Sequence, residues 1–222
     1  MEVVLHQFLN VEIMQRVFPL LLRGLGTTAY LCALVIPLGL IGGLLVALLS
    51  LARNRIVAWT TTALVDLFRA APPLVLLILL YSGLPFAGVN LTPTVAVCLA
   101  FFCNTSSYYG EIYRAGIESV GRGQWEAARS TGLSGLQTLS HVILPQAVRN
   151  VLPDLVSNTV EVVKLTSIAS VVSFPELLYS AEMARSVTLN SSPVVLAAIM
   201  YVALLWPLVR LVSRLERRVA SH

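Results

Sequence analysis

The stretch "GQWEAARSTGLSGLQTLSHVILPQA", residues 123–147, lies between two strongly apolar blocks yet carries Glu126, Arg129 and His141. Its surroundings set the fold class. The 222-residue chain is 57% hydrophobic and 12% charged, with a mean hydropathy of +0.82, whereas a soluble domain averages about 25% charged residues. No charged residue stands between Arg23 and Arg53, between Arg69 and Glu111, or between Arg185 and Arg210. Crossing about 30 Å of hydrocarbon takes about 20 mostly apolar residues in a helix. The pattern predicts an all-α integral membrane protein.

Glycine and proline punctuation divides the apolar runs into five expected spans, at roughly 25–51, 58–84, 91–110, 152–174 and 192–213. The segment "SGLPFAGVNLTP" (82–93) is the turn that splits the longest uncharged run. Arginines then orient the set. With the C-terminus inside, the inner segments hold Arg53, Arg55, Arg114, Arg122, Arg129, Arg149, Arg210, Arg214, Arg217 and Arg218, against Arg16, Arg23 and Arg185 outside. This bias puts the N-terminus outside and residues 111–150 in the largest cytoplasmic loop. The pI of about 9.2 is thereby accounted for by membrane orientation, and no nucleic-acid partner is expected. The start, "MEVVLHQFLNVEIMQRVF", has acids where a leader would be basic, so no cleavable signal is expected. Cys32, Cys98 and Cys103 are scattered through apolar runs, which predicts packing roles and neither disulfide nor metal site.

The quoted loop reads as two short helices. Ala127 and Ala128 favour the first, Glu126 near its start suits the helix dipole, and Gly132 supplies a stop. Ser134 and Gln137 have capping-box spacing and open the second, which Leu144-Pro145 is expected to end. Two uses are open on these residues alone. The loop is either an amphipathic element on the membrane surface, or a docking element in which small alanines beside an acid admit another protein.

E-A-A, three residues, Gly, nine residues, then V-I-L-P resembles the cytoplasmic loop motif of permease subunits of bacterial ABC importers. Glu126, Ala127, Ala128, Gly132, Leu144 and Pro145 fall on the pattern, and Val142 replaces the usual Ile. "GLGTTAYLCALVIPLG" (24–39), "FRAAPPLVLLILLYSGLP" (68–85) and "SSYYGEIYRAGIESVGRGQWEAARS" (106–130) are similar to the polar amino-acid branch. So is "KLTSIASVVSFPEL" (164–177), except that Leu165 stands where Asp is usual. The resemblance implies a single five-span transmembrane domain over 1–222 in the bacterial inner membrane. It implies no catalytic residues and no cofactor on this chain, with ATP and Mg held by two copies of a partner ATPase that dock on the loop. It further implies a second permease subunit, identical or homologous, and a periplasmic substrate-binding protein.

Ionisable groups inside spans are costly and therefore candidate functional residues. Asp66 and Arg69, three apart before Pro72-Pro73, suggest a structural ion pair near the cytoplasmic end. Asp154, Asn158, Glu161 and Lys164 fall on one helical stripe, followed by Thr166 and Ser167. They either pair with one another at a subunit interface or line the translocation path. An acid on such a path favours cationic amino acids such as arginine, histidine, lysine or ornithine, although Lys164 is placed to neutralise Glu161. Gly39, Gly42 and Gly43 are placed for close helix contact, Pro37 for a kink, and Tyr108, Tyr109 and Tyr113 for an interfacial belt. Two rival classes leave different signatures. An ion-driven secondary transporter would show paired broken repeats, and none is convincing. A haem-bearing anchor would need histidines within spans, and His6, His141 and His222 fall outside them.

Overall fold

The structure, a computed structural model, describes the backbone of residues 6–219 and the side chains of residues 6–214. His222 and the side chains of Arg217 and Arg218, used above, lie outside the described residues. Every regular element described is helical. The order is α1 (Val11–Ser50), α2 (Arg55–Ala70), α3 (Pro73–Ile78), a π turn (Leu79–Gly83) and a 3-10 turn (Leu84–Ala87), then α4 (Pro93–Ser119), α5 (Arg122–Ser130) and α6 (Gly135–Thr138). A second π turn (Leu139–Ile143) leads into α7 (Leu144–Leu165), a 3-10 segment (Thr166–Val172), α8 (Leu177–Thr188) and α9 (Ser192–Val219). Three continuous helical stretches are long and apolar enough to cross a membrane: His6–Ser50, Gly135–Val172 and Ser192–Arg214. Arg55–Ala70 with Pro73–Ala87 forms a fourth, bent by 99°. Helix α1 begins well before residue 25 because its apolar run continues back through Val17–Leu22, which an isolated Arg23 does not interrupt.

The bend in the fourth stretch falls where the two prolines predict it. Pro72 and Pro73 have no N–H, so the carbonyls of Phe68 and Arg69 lose their helical partners. Helix α4 supplies replacements one turn apart: Asn104 Nδ2 donates to the Phe68 carbonyl (3.5 Å) and the Tyr108 hydroxyl to that of Arg69 (3.4 Å). Prolines at 37 and 207, by contrast, sit inside helices assigned without a break.

The chain divides into two compact units. One comprises Met1–Ile36, Pro73–Phe101 and Val160–Arg210. Its apolar centre joins Val17 and Leu21 of α1, Leu177, Ala181 and Ala184 of α8, and Ala197 and Met200 of α9. Beside it lies a buried polar knot. Glu176 is fully buried and caps α8: its Oε1 accepts from the Tyr179 N–H (2.7 Å), its Oε2 from the Leu178 N–H (2.8 Å) and the Tyr201 hydroxyl (2.8 Å). The Thr28 hydroxyl accepts from the Leu177 N–H (3.1 Å) and donates to the Gly24 carbonyl (3.2 Å). A buried carboxylate is tolerated when charge-favouring donors surround it, and here they are a helix N-terminus and a phenol.

The other unit comprises Pro37–Pro72, Phe102–Thr159 and Leu211–His222. Within it α1 and α4 meet through the expected glycines. Gly39 faces Thr105 and Tyr109, Gly42 faces Ser106 and Phe102, and Gly43 faces Tyr109 and Gly110. Small residues let helix backbones approach closely and gain dispersion contacts. Tyr109, expected in an interfacial belt, is instead fully buried in this contact, and its hydroxyl shares a hydrogen bond with Thr159 Oγ1 (2.8 Å). A Cβ at Gly43 would lie 2.5 Å from Tyr109 Cβ and 2.9 Å from the Gly110 nitrogen, whereas one at Gly26 would meet nothing within 4 Å. Gly43→Val should therefore destabilise the protein by about 1–3 kcal/mol, the usual cost of overpacking. Gly26→Val should leave the detergent-solubilised melting temperature nearly unchanged; equal losses in both would refute the close-packing account.

Candidate functional site: the loop between α4 and α7 and the stripe on α7

Helix α5 starts at Arg122, so Glu126 is its fifth residue and not part of its first turn, contrary to the expectation. Glu126 and Ala127 are exposed, while Ala128 is buried. The two alanines therefore differ: Ala127 faces solvent and Ala128 faces the interior. The helix stops as expected: Gly132 is in the left-handed region (φ 84°) that favours glycine, and the Thr131 N–H returns to the Ala127 carbonyl (3.3 Å). Ser134 and Gln137 form the expected capping box, with Ser134 N–H donating to Gln137 Oε1 (2.9 Å) and Gln137 N–H to Ser134 Oγ (3.3 Å).

Leu144-Pro145 does not end the second helix. A π turn over Leu139–Ile143 precedes it and runs without a gap into α7, so Pro145 is carried within one continuous helical stretch, Gly135–Val172, just after the widened turn. Leu144 is half-buried against a core of Ile117, Val120, Ile143 and Ala147, and Pro145 is exposed. Gly116 permits this packing; a Cβ there would come within 2.9 Å of the Ala147 carbonyl oxygen. Asn150 Nδ2 also donates to Ser119 Oγ (2.9 Å), tying α7 to the end of α4. The loop is a set of short helical pieces, closed by Gly132 and by the Ser134–Gln137 box, beside a small apolar core.

Arg69 does not pair with Asp66. Its guanidinium lies 3.8 Å from Glu111 and over the Tyr108 ring, 5.5 Å from the centroid. Helix α4 offers that carboxylate because Arg69 sits at the last turn of α2, beside the Asn104–Tyr108 face that covers the broken helix end. Arg114 bonds Glu111 and also Glu118 (2.7 Å). The Arg114 hydrogen bond holds the Glu111 carboxyl below its ordinary range despite partial burial, and Glu111 in turn makes Arg114 harder to deprotonate. This network was missed from sequence, although the spacing of Glu111, Arg114 and Glu118 was its signal.

The stripe is only partly assembled. Asp154, Glu161 and Lys164 are exposed on α7, and Asn158 is half-buried. Glu161 and Lys164 form an ion pair. Asn158 Nδ2 is a buried atom without a hydrogen-bond partner among the described residues. Thr166 is buried and donates to the Val163 carbonyl (2.7 Å), and Ser167 donates to that of Lys164 (2.8 Å), so both hydroxyls serve the backbone where α7 gives way to the 3-10 segment. Leu165 is half-buried.

Residues 36–221 match the binding-protein-dependent transport system inner membrane component family, and the chain belongs to it. The probable glutamine ABC transporter permease GlnM of Bacillus subtilis is 35% identical over 95% of this chain and 98% of its own. The arginine transport system permease ArtQ of the same organism is 29% identical over 92% and 94%. A crystal structure of an amino acid ABC transporter with histidines superposes at a TM-score of 0.85 with 34% identity, covering 92% of this chain and 96% of that one. This protein is a multi-pass inner-membrane permease subunit of an amino-acid ABC importer.

The loop analysis carries a stability prediction. Ser134→Ala removes one side of the capping box, at a cost of about 1 kcal/mol. Amide exchange at residues 135–138 should accelerate by roughly fivefold, with α8 amides unchanged; unaltered protection would show that the cap does not hold the loop.

Proposed function

We propose that the loop around Glu126 is the docking element for the ATPase, and that this chain itself binds neither ATP nor another cofactor. Supporting the reading is the exposure of Glu126 and Ala127 on a short helix whose C-terminus is closed by the Thr131 N–H and Gly132, a preorganised surface of the kind that binds at low entropic cost. Gly132, Leu144 and Pro145 shape that element, and Ala128 roots it. Two ATPase copies, with ATP and Mg, would sit beneath this chain and a second permease subunit, identical or homologous. A periplasmic binding protein would deliver the amino acid.

The proposed topology is one transmembrane domain of five spans: the three continuous stretches, the bent pair, and α4. The N-terminus is periplasmic and the C-terminus cytoplasmic. ATP binding draws the ATPases together and the loops move with them, so the spans pass from inward- to outward-facing. This requires ATP to bind the two states with different affinity.

For the substrate, we infer a path past Asp154, Asn158 and Glu161 that slightly favours cationic amino acids. The unpaired amide of Asn158 supports a ligand contact there, whereas Lys164 already offsets the charge of Glu161. The relatives named above are a glutamine and an arginine permease, so charge selection is a property of the residues that differ among them.

Glu126→Lys should abolish ATP-driven uptake and co-purification of the ATPase, by reversing charge at the dock. Wild-type uptake by an inserted Glu126→Lys protein would sink the assignment. Glu161→Gln should raise KM for a cationic amino acid several-fold while ATPase co-purification is unchanged; identical uptake kinetics would remove Glu161 from the path.

A further inference from the structure

Beside α5 lies a groove of about 390 Å³ in which two kinds of surface meet. Leu48 and Leu51 at the end of α1, Ile117 on α4 and Leu139 form apolar walls. Trp125 and Arg122, both on α5, complete it. Glu118 also reaches the rim, but both its oxygens are taken by Arg114 (2.7 and 2.8 Å). Arg122 has no ion pair or side-chain hydrogen bond with any described residue. The groove therefore combines a neutralised acid, an unpaired cation, an aromatic ring and hydrocarbon walls.

We propose that this groove binds an anionic phospholipid of the inner leaflet, its phosphate against Arg122 and an acyl chain along Leu48, Leu51 and Leu139. The inference rests on the cytoplasmic placement of the loop proposed above. Three observations select the occupant. Leu51 lies just past the end of α1 and one residue before the close of its uncharged run, and Arg53 and Arg55 follow, so the groove lies where hydrocarbon gives way to headgroups. Its walls are mostly apolar, which suits a chain and not a free anion. The surplus charge at its mouth is positive, which suits a phosphate and disfavours a cation. Because Arg122 and Trp125 belong to the same helix as Glu126, a lipid held there ties the docking element to the bilayer surface. Loop position then depends on lipid charge, and so does the efficiency of coupling.

The test uses the intact transporter in vesicles containing photoactivatable phosphatidylglycerol, with crosslinks mapped by mass spectrometry. Crosslinks are expected on peptides holding Leu48, Leu51 or Leu139, competed by unlabelled phosphatidylglycerol and not by phosphatidylethanolamine. Arg122→Gln, and Leu48→Trp as a plug remote from the charge, should each reduce them at least tenfold in monodisperse protein. Arg122→Lys should restore them. Unchanged crosslinking in both variants would overturn the site, and equal competition by phosphatidylethanolamine would overturn the anionic headgroup. Cysteine labelling at Arg53→Cys separates the two levels of the argument. Reaction from the outside alone would fault the topology, whereas reaction from the inside with unchanged crosslinks would fault the groove alone.

Discussion

A backbone amide in hydrocarbon has no water to bond, so every departure from helix must be repaired by the protein itself. That constraint organises both units. Where Pro72 and Pro73 break the helix, Asn104 and Tyr108 of α4 stand one turn apart to receive the two freed carbonyls. Where the chain turns into α8, Thr28 and Glu176 take the first three N–H groups. Thr166 and Ser167 return their hydroxyls to carbonyls as α7 passes into its 3-10 segment. Many of the buried polar side chains in the two units are thus explained as backbone repairs before any contact with substrate is invoked.

The same constraint sorts the ionisable groups. Glu176 is buried deepest yet needs no cation, because N–H groups and a phenol surround it. Arg69, Glu111, Arg114 and Glu118 share charge in a part-exposed network toward the C-terminal end of α4, where solvent access makes ion pairing inexpensive. Among the described residues, few buried polar side-chain atoms are left without a hydrogen-bond partner, and the Asn158 amide on α7 is one of them. Unrepaired polarity is where a ligand has most to add, since burying an unpaired polar group costs more than forming its bond returns.

Features set by a few adjacent residues were legible in the sequence. The Pro72-Pro73 break, the Gly39, Gly42 and Gly43 contact, the Gly132 stop and the Ser134–Gln137 cap all follow from backbone geometry within one turn. Features that depend on a distant element were not. Pro145 was expected to end a helix, but a π turn and the core around Ile143 carry the chain through it. Asp66 was the nearest acid to Arg69 along the chain, yet α4 brings Glu111 to it. Ala128 looked like surface because composition cannot reveal which side of a nine-residue helix turns inward. Helix α4, expected as a span at 91–110, is not among the stretches long and apolar enough to cross a membrane; it carries a polar run through Asn104–Ser107, from which Asn104, Thr105 and Ser106 serve α1 and α2.

This division bears on how a loop of short pieces can transmit force. A flexible connection would absorb a push from the cytoplasm, because each loose residue offers other conformations at little cost. Here α5 ends in a glycine-specific conformation, α6 is capped on both partners of the box, and the π turn runs without a gap into α7. Displacing α5 therefore means moving Ile117, Val120, Ile143 and Ala147 together or breaking their packing. Close-packed interiors respond to such a load by shifting as blocks and not by deforming smoothly. On the proposed function, the helix that moves with that block is α7, which carries Asp154, Asn158 and Glu161, so a docking event at Glu126 reaches the candidate path through one continuous element.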